Sequence, residues 1–217
     1  MAKLVLFIML FMFQVGAVKA STWLVVGDSL SSAYGIAEEA GWVALLRKHM
    51  ASIDPDVQVV NASISGDTTF GGVERLPTLI KEYAPSLVII ELGGNDGLRG
   101  FNLKKTEENL RQMIRLVSQS SAKAVLVGMQ IPPNYGPFYS RRFAGLYKKV
   151  ADSENAALLV PFLLEGVAED QSLFLEDGIH PNEKAQPIIL QNVLNALKKR
   201  AVFTARERLF FSGLKQH

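Results

Sequence analysis

Three stretches of this chain carry no polar residue at all: Leu24-Val25-Val26, Leu87-Val88-Ile89-Ile90 and Val125-Leu126-Val127. Successive side chains of a strand point to opposite faces, so a strand with one wet face alternates apolar and polar residues. These three do not alternate. Both faces of each must therefore be covered, which is the condition of a parallel sheet between helices. The strands expected are Thr22–Val26, Val57–Asn61, Ser86–Leu92, Ala124–Met129 and Ala157–Val160. Helical patterning fills the gaps over Trp42–Met50, Val73–Tyr83, Lys104–Ser120, Tyr139–Glu154 and Glu183–Lys199. In Lys104–Ser120, with Leu103 just before it, the buried stripe is expected at Leu103, Leu110, Met113, Ile114 and Val117. Strand–helix alternation at this spacing predicts βαβ units and an open α/β sheet. With no repeat, low-complexity tract or interior linker, a chain of 217 residues reads as one domain over 21–200.

The two ends read differently. Lys3 precedes an unbroken apolar run, Leu4 to Phe13, and Val18-Lys19-Ala20 offers small residues to a signal peptidase. The run falls short of the roughly 20 residues a spanning helix needs. Residues 1–20 are read as a secretory signal cleaved after Ala20, which places the mature chain in the periplasm or outside the cell. Ala201–His217 mixes Phe203, Phe210 and Phe211 with Arg206, Glu207 and Arg208. It is compatible with a docked helix, a membrane-touching tail or a disordered extension.

Cleavage after Ala20 leaves 21 basic and 21 acidic residues. A nucleic-acid binder carries a basic excess, so no nucleic-acid partner is expected. The absence of cysteine excludes disulfides, thiolate metal sites and a cysteine nucleophile.

Ligands of open α/β sheets sit beyond the carboxyl ends of the strands, near a switch in strand order. The first three strands are followed by Gly27-Asp28-Ser29-Leu30, by Asn61-Ala62-Ser63-Ile64-Ser65-Gly66-Asp67 and by Gly93-Gly94-Asn95-Asp96-Gly97. With strand order 2-1-3-4-5, Ser29, Gly66 and Asn95 would meet at one sheet edge. A serine nucleophile needs a base. His49 sits among Arg47, Lys48 and Met50 at a helix end, and His217 is the last residue. His180 lies in a turn, Glu176-Asp177-Gly178-Ile179-His180-Pro181-Asn182, three residues after Asp177. That spacing brings a carboxylate to the imidazole, as a triad requires. Gly66 N–H, the Asn95 amide and Ser29 N–H are the candidate donors to an oxyanion. Each piece alone is also a common turn sequence; the order of all four is what carries information.

The order Ser29, Gly66, Asn95, His180 resembles the SGNH, or GDSL, hydrolase superfamily, and Asp177 matches its acid. Within it, Val25–Gly35, Val59–Thr69, Glu91–Phe101, Ile131–Phe143 and Glu176–Pro187 resemble the periplasmic thioesterase, lysophospholipase and arylesterase group. The resemblance covers Thr22–Lys199 and stops before the C-terminal extension. It implies a flavodoxin-like three-layer α/β/α sandwich with a central parallel sheet of about five strands, and no cofactor or metal. It implies that Ser29 is the nucleophile, His180 the base and then the acid, and Asp177 the residue that orients it. Ser29, Gly66 and Asn95 would form the oxyanion hole.

The stretch after the fourth strand, Gln130–Phe143, is rich in proline and aromatic residues. Pro133, Tyr135, Phe138 and Tyr139, with Leu98 and Phe101 after Asn95, are the expected apolar wall for an acyl chain. Packing of the loop on itself explains the same aromatics. Arg99, Arg141 and Arg142 are suited to an anionic head group, or simply to solvated surface. The function expected is a secreted serine esterase/thioesterase acting on small acyl esters or lysophospholipids, as a monomer or weak oligomer in transient contact with a membrane surface. Two alternatives share parts of this pattern: an SGNH carbohydrate deacetylase or acyltransferase, and a flavodoxin-like module cradling a phosphate with Ser29, Ser31 and Ser32.

Overall fold

The computed structural model describes residues 21–154 and 157–199. The expected signal segment and C-terminal extension lie outside the described residues. Five strands form one sheet: β1 Ser21–Gly27, β2 Val57–Asn61, β3 Leu87–Glu91, β4 Lys123–Val127 and β5 Ala157–Val160. Their order is β2-β1-β3-β4-β5 and every pairing is parallel. The apolar runs occupy the three central strands. Trp23 to Val26, all of β3, and Ala124 to Val127 are buried. Edge strand β2 alternates, with Val57 and Val59 buried and Gln58 exposed.

Five α-helices lie between strands and a sixth follows the last: α1 Trp42–Ile53, α2 Thr69–Tyr83, α3 Gly94–Leu98, α4 Leu103–Gln119, α5 Pro137–Ser153 and α6 Gln186–Lys199. α1 packs on α6, and α4 packs on both α2 and α5, so the sheet lies between two helical layers. This is the three-layer α/β/α sandwich expected. The stripe on α4 is as read: Leu103, Leu110, Met113, Ile114 and Val117 are all buried. Each such side chain contributes about 1.5–3 kcal/mol relative to exposure. No helix among the described residues is long and apolar enough to cross a membrane.

Several boundaries move, for local reasons. α2 starts at Thr69 rather than Val73, because Thr68 caps it, its hydroxyl accepting the Gly71 N–H. Gly71 and Gly72 lie inside the helix, where Gly72 has no room for a side chain against Leu92 and Met113. β3 and β4 stop at Glu91 and Val127, one and two residues short of expectation, as the chain turns over the sheet edge. α6 starts at Gln186, three residues late, because Pro181 and Asn182 remain tied to the His180 turn through Gln186 Nε2. The Gln186 side-chain Oε1 also caps α1 by accepting the Trp42 N–H at 3.0 Å.

The largest departure is α3. Gly93-Gly94-Asn95-Asp96-Gly97 reads as a turn, yet Gly94–Leu98 is a helical turn. Gly93 enters it with φ +112°, a conformation that favours glycine, and a Cβ there would run into the Tyr147 hydroxyl. Tyr147 is itself buried and donates to Leu92 O at 3.1 Å. Replacing Gly93 by Ala is therefore expected to lower stability by about 1–3 kcal/mol. The check is a urea unfolding curve with a lower midpoint and unchanged slope; an unchanged midpoint would show that the turn tolerates a side chain.

Candidate active site

Ser29 stands one residue past Asp28, where β1 leaves the sheet. The chain coils at once, with the N–H groups of Ser31 and Ser32 bonded to Asp28 O at 3.3 and 3.0 Å. This tight turn leaves Ser29 half-buried at the sheet edge. Its Oγ lies 3.0 Å from His180 Nε2.

His180 arrives from the far side of the chain on a hairpin-like loop. Phe174 and Pro181 form an antiparallel bridge, and Leu175 N–H bonds to His180 O at 2.8 Å. Asp177 sits at the tip. Its Oδ2 is 2.6 Å from His180 Nδ1, and its Oδ1 accepts the N–H groups of Ile179 and His180, each at 2.9 Å. The His180 N–H and ring, followed by the Ile179 N–H, hold the Asp177 carboxyl down at about 2. Asp177 therefore keeps its charge as pH falls until about 2, and an activity loss in mildly acidic solution is not a titration of Asp177. The Tyr34 ring, 4.4 Å from the imidazole and tilted 41°, packs against His180.

Two other loops complete the edge. After β2, Gly66 holds φ +79°. Among the described residues no acceptor takes the N–H of Gly66 or of Ser29. After β3, Asn95 lies in the first turn of α3, and its Nδ2 donates to Asp28 Oδ2 at 3.0 Å. Arg99 ties these loops together: its Nη2 donates to Gly66 O at 3.0 Å and reaches Asn95 Oδ1 at 3.5 Å. Farther back, Arg75 on α2 spans the β1 and β2 ends, reaching Gly27 O at 3.3 Å, Ala62 O, and the Asp67 carboxylate at 2.8 Å. The edge thus holds a hydroxyl on an imidazole, an imidazole on a carboxylate, two unengaged N–H groups and a fixed amide. That set can activate a hydroxyl and bind a developing oxyanion.

The wall residues are distributed more widely. Leu98 is half-buried, while Phe101, Pro133, Tyr135 and Phe138 are exposed. Tyr139 is half-buried and its hydroxyl donates to Gly97 O and Phe101 O at 3.4 and 3.3 Å, pinning the β4–α5 loop to the α3–α4 turn. The Arg142 guanidinium lies 5.4 Å over the Phe138 ring, a cation–π contact. Phe101 lines a cavity of about 220 Å³ with Phe70, Asp96, Asn102, Lys105, Thr106 and Asn109. A narrower cleft beside the Ser29–His180 pair is lined by Leu30, Ala33, Tyr34, Ile36, Pro181 and Gln186. Pro133, Tyr135, Phe138 and Tyr139 line neither.

Sequence reading missed Arg99 as a link between loops, Tyr34 as a partner of His180, and Glu91. The last had a signal: it is the one acid in a strand that is otherwise wholly apolar.

Comparisons with known proteins give the family. Residues 25–187 match the model of the GDSL-like lipase/acylhydrolase family. The chain is 52% identical over 179 residues to the esterase TesA of Pseudomonas aeruginosa, covering 82% of this chain and 89% of that one. It is 45% identical over 184 residues to thioesterase 1/protease 1/lysophospholipase L1 of Escherichia coli, covering 85% and 86%. The crystal structure of the psychrotrophic esterase EstA from Pseudoalteromonas sp., inhibited by monoethylphosphonate, superposes with a TM-score of 0.77 at 40% identity, covering 82% of this chain and 97% of that one. The family match runs from inside β1 to the start of α6, and the chain belongs to the GDSL-like lipase/acylhydrolase family.

Proposed function

We propose that the protein is a serine esterase and thioesterase that cleaves acyl esters, lysophospholipids among them, through an acyl-enzyme on Ser29. The observation that carries this reading is the continuous relay from Ser29 Oγ to His180 Nε2 at 3.0 Å and from His180 Nδ1 to Asp177 Oδ2 at 2.6 Å. His180 takes the Ser29 proton as Oγ attacks the acyl carbon, then gives it to the departing alkoxide or thiolate. Asp177 fixes the imidazole with Nε2 toward Ser29 and stabilises the imidazolium. The N–H groups of Ser29 and Gly66 and the Asn95 amide receive the oxyanion. Water then attacks the acyl-enzyme by the same steps in reverse roles.

A phosphate cradle fits less well. The Ser31 hydroxyl is committed to Glu91 at 2.6 Å and Ser32 to Ser65 at 2.8 Å, and two buried carboxyls lie beneath them. A phosphate there would meet negative charge. A deacetylase or acyltransferase would share the relay and differ in its acyl wall. For that wall we propose Leu98, Phe101, Pro133, Tyr135, Phe138 and Tyr139; the exposed rings of Phe101, Tyr135 and Phe138 offer apolar surface that an acyl chain could use and an acetyl group could not. Secretion by cleavage after Ala20, into the periplasm or beyond the cell, belongs to the same proposal and rests on the N-terminal sequence.

The proposal extends to work at a lipid surface. Seven large hydrophobic residues are exposed among the described residues: Tyr34, Ile64, Phe70, Phe101, Tyr135, Phe138 and Ile179. All seven fall in the segments that follow the carboxyl ends of β1 to β5 or in the first turn of the next long helix: Tyr34 after β1, Ile64 and Phe70 after β2, Phe101 after β3, Tyr135 and Phe138 after β4, and Ile179 after β5. Lys104 and Lys105 add charge in the first turn of α4, where the helix dipole disfavours cations and an anion would be welcome. Such a patch fits an anionic lipid layer.

Three outcomes test these statements. On p-nitrophenyl esters, Ser29→Ala is expected to lose activity by roughly 10³-fold or more and Asp177→Asn by about 10²–10⁴-fold; turnover equal to wild type in Ser29→Ala removes it from the chemistry. In a series from acetate to palmitate, Phe101→Ala should lower kcat/KM for long chains roughly tenfold more than for acetate, and a uniform loss would take Phe101 out of the acyl wall. Cosedimentation with phosphatidylglycerol vesicles should fall several-fold in the double variant Ile64→Ser, Phe70→Ser; undiminished binding would sink the lipid-surface reading.

A further inference from the structure

β3 is apolar until its last residue, Glu91, whose carboxyl is fully buried. Its Oε2 accepts the Ser31 hydroxyl at 2.6 Å and the Asp28 N–H at 3.3 Å. Its Oε1 meets no N–H or O–H donor. Asp28, 2% exposed, faces it, with the two side chains in hydrogen-bonding reach of each other. Asp28 Oδ1 takes the Leu30 N–H at 3.1 Å, and Oδ2 takes Asn95 Nδ2.

The surroundings offer neither carboxyl a paired cation. The Tyr147 phenol on α5 is held neutral, by burial first and then by the charges of Glu91, Asp96 and Asp28. Arg75 on α2 reaches only backbone oxygens and Asp67. His180 is the one cationic group that acts on Asp28, and it does so only when protonated. Two carboxylates cannot both ionise in so dry a place. A single proton resolves the conflict: placed on Glu91 Oε1 and donated to Asp28, it gives the orphan oxygen its partner.

We propose, on the reading of Ser29, Gly66 and Asn95 given above, that Glu91 is a positioning residue for the oxyanion site: its carboxylic acid donates to Asp28 and so fixes Asp28 against Asn95. One Asn95 amide hydrogen is then held by Asp28 and the other is aimed at the substrate oxygen. The shared proton also keeps the charge beneath the oxyanion at one rather than two. Burial raises both carboxyls, Glu91 well above its ordinary range and Asp28 to about 6. Near neutral pH the pair holds one proton, and the unpartnered Oε1 places it on Glu91. The sign follows. As pH rises through the elevated Glu91 value, the proton leaves, a second negative charge appears under the oxyanion, and kcat falls.

The test compares wild type with Glu91→Gln and Glu91→Leu, each confirmed folded by circular dichroism. A glutamine amide donates to Asp28 as the acid does but cannot ionise. Glu91→Gln should keep kcat within about threefold of wild type at pH 7 and hold it on the alkaline side, where wild type declines. Glu91→Leu should lose kcat on the order of tenfold or more with little change in KM, as expected when an oxyanion donor loses its anchor. Coincident alkaline limbs in wild type and Glu91→Gln would overturn the proposal. Carbon-13 NMR of glutamate-labelled wild type gives a readout independent of activity and of the variants' folding for any other purpose than assignment. The Glu91 carboxyl should appear as a protonated acid at pH 7; an ionised signal there overturns the proposal even if Ser29 is the nucleophile. Failure of the Ser29→Ala test would remove the esterase reading and leave this proton in place.

Discussion

In the sheet β2-β1-β3-β4-β5 every strand runs the same way, so every carboxyl end opens on one edge. A residue set directly after one strand is then a single loop away from residues set after its neighbours. Ser29, Gly66 and Asn95 are 66 positions apart at most in sequence and meet because β2, β1 and β3 are adjacent. The register fixes the heights as well: Gly27 pairs with Glu91 and Val25 with Asn61, so the three loops leave the sheet nearly level. The Asp177–His180 loop belongs to no strand tip of this trio. It crosses over from the β5 side and is anchored through Gln186 to the start of α1.

Beneath that edge the interior is polar in two places, and both brace the site. Glu91, Asp28 and Ser31 form one cluster under β1 and β3. Asp96 forms the other: it accepts the Thr69 hydroxyl at 2.5 Å and N–H at 2.9 Å, and Asn109 donates to that hydroxyl at 3.0 Å. This second cluster locks α3 to the first turns of α2 and α4. Buried polar groups cost free energy unless paired, and partly paired ones cost most. Both clusters hold the loops that carry Ser29 and Asn95 in place.

Much of this was legible in the residues. Unbroken apolar runs required strands covered on both faces, and Leu110, Met113, Ile114 and Val117 on α4 sit as their spacing demands. Ser29, Gly66, Asn95 and the Asp177–His180 pair each follow an element end, and recognising that order located the candidate site. The turn-like Gly93–Gly97 was less legible. Two glycines and an Asn-Asp pair favour a turn locally, and α3 exists because Asp96 is captured by Thr69 and Thr106 from two other helices. The start of α2 was obscured in the same way, since Gly71 and Gly72 weaken a helix unless close packing requires them.

The chain's order of residue types determined the parallel sheet, the placement of chemistry after strands, and the kind of chemistry, because side-chain period and strand–loop alternation are properties of the chain itself. Tertiary structure alone decided which loops touch. It put Arg99 on Gly66 and Asn95, Tyr34 on His180, and Glu91 against Asp28. Each of those contacts joins residues from different elements, and the free energy of such a contact, especially of two acids sharing one proton, exists only once burial has taken both groups out of water.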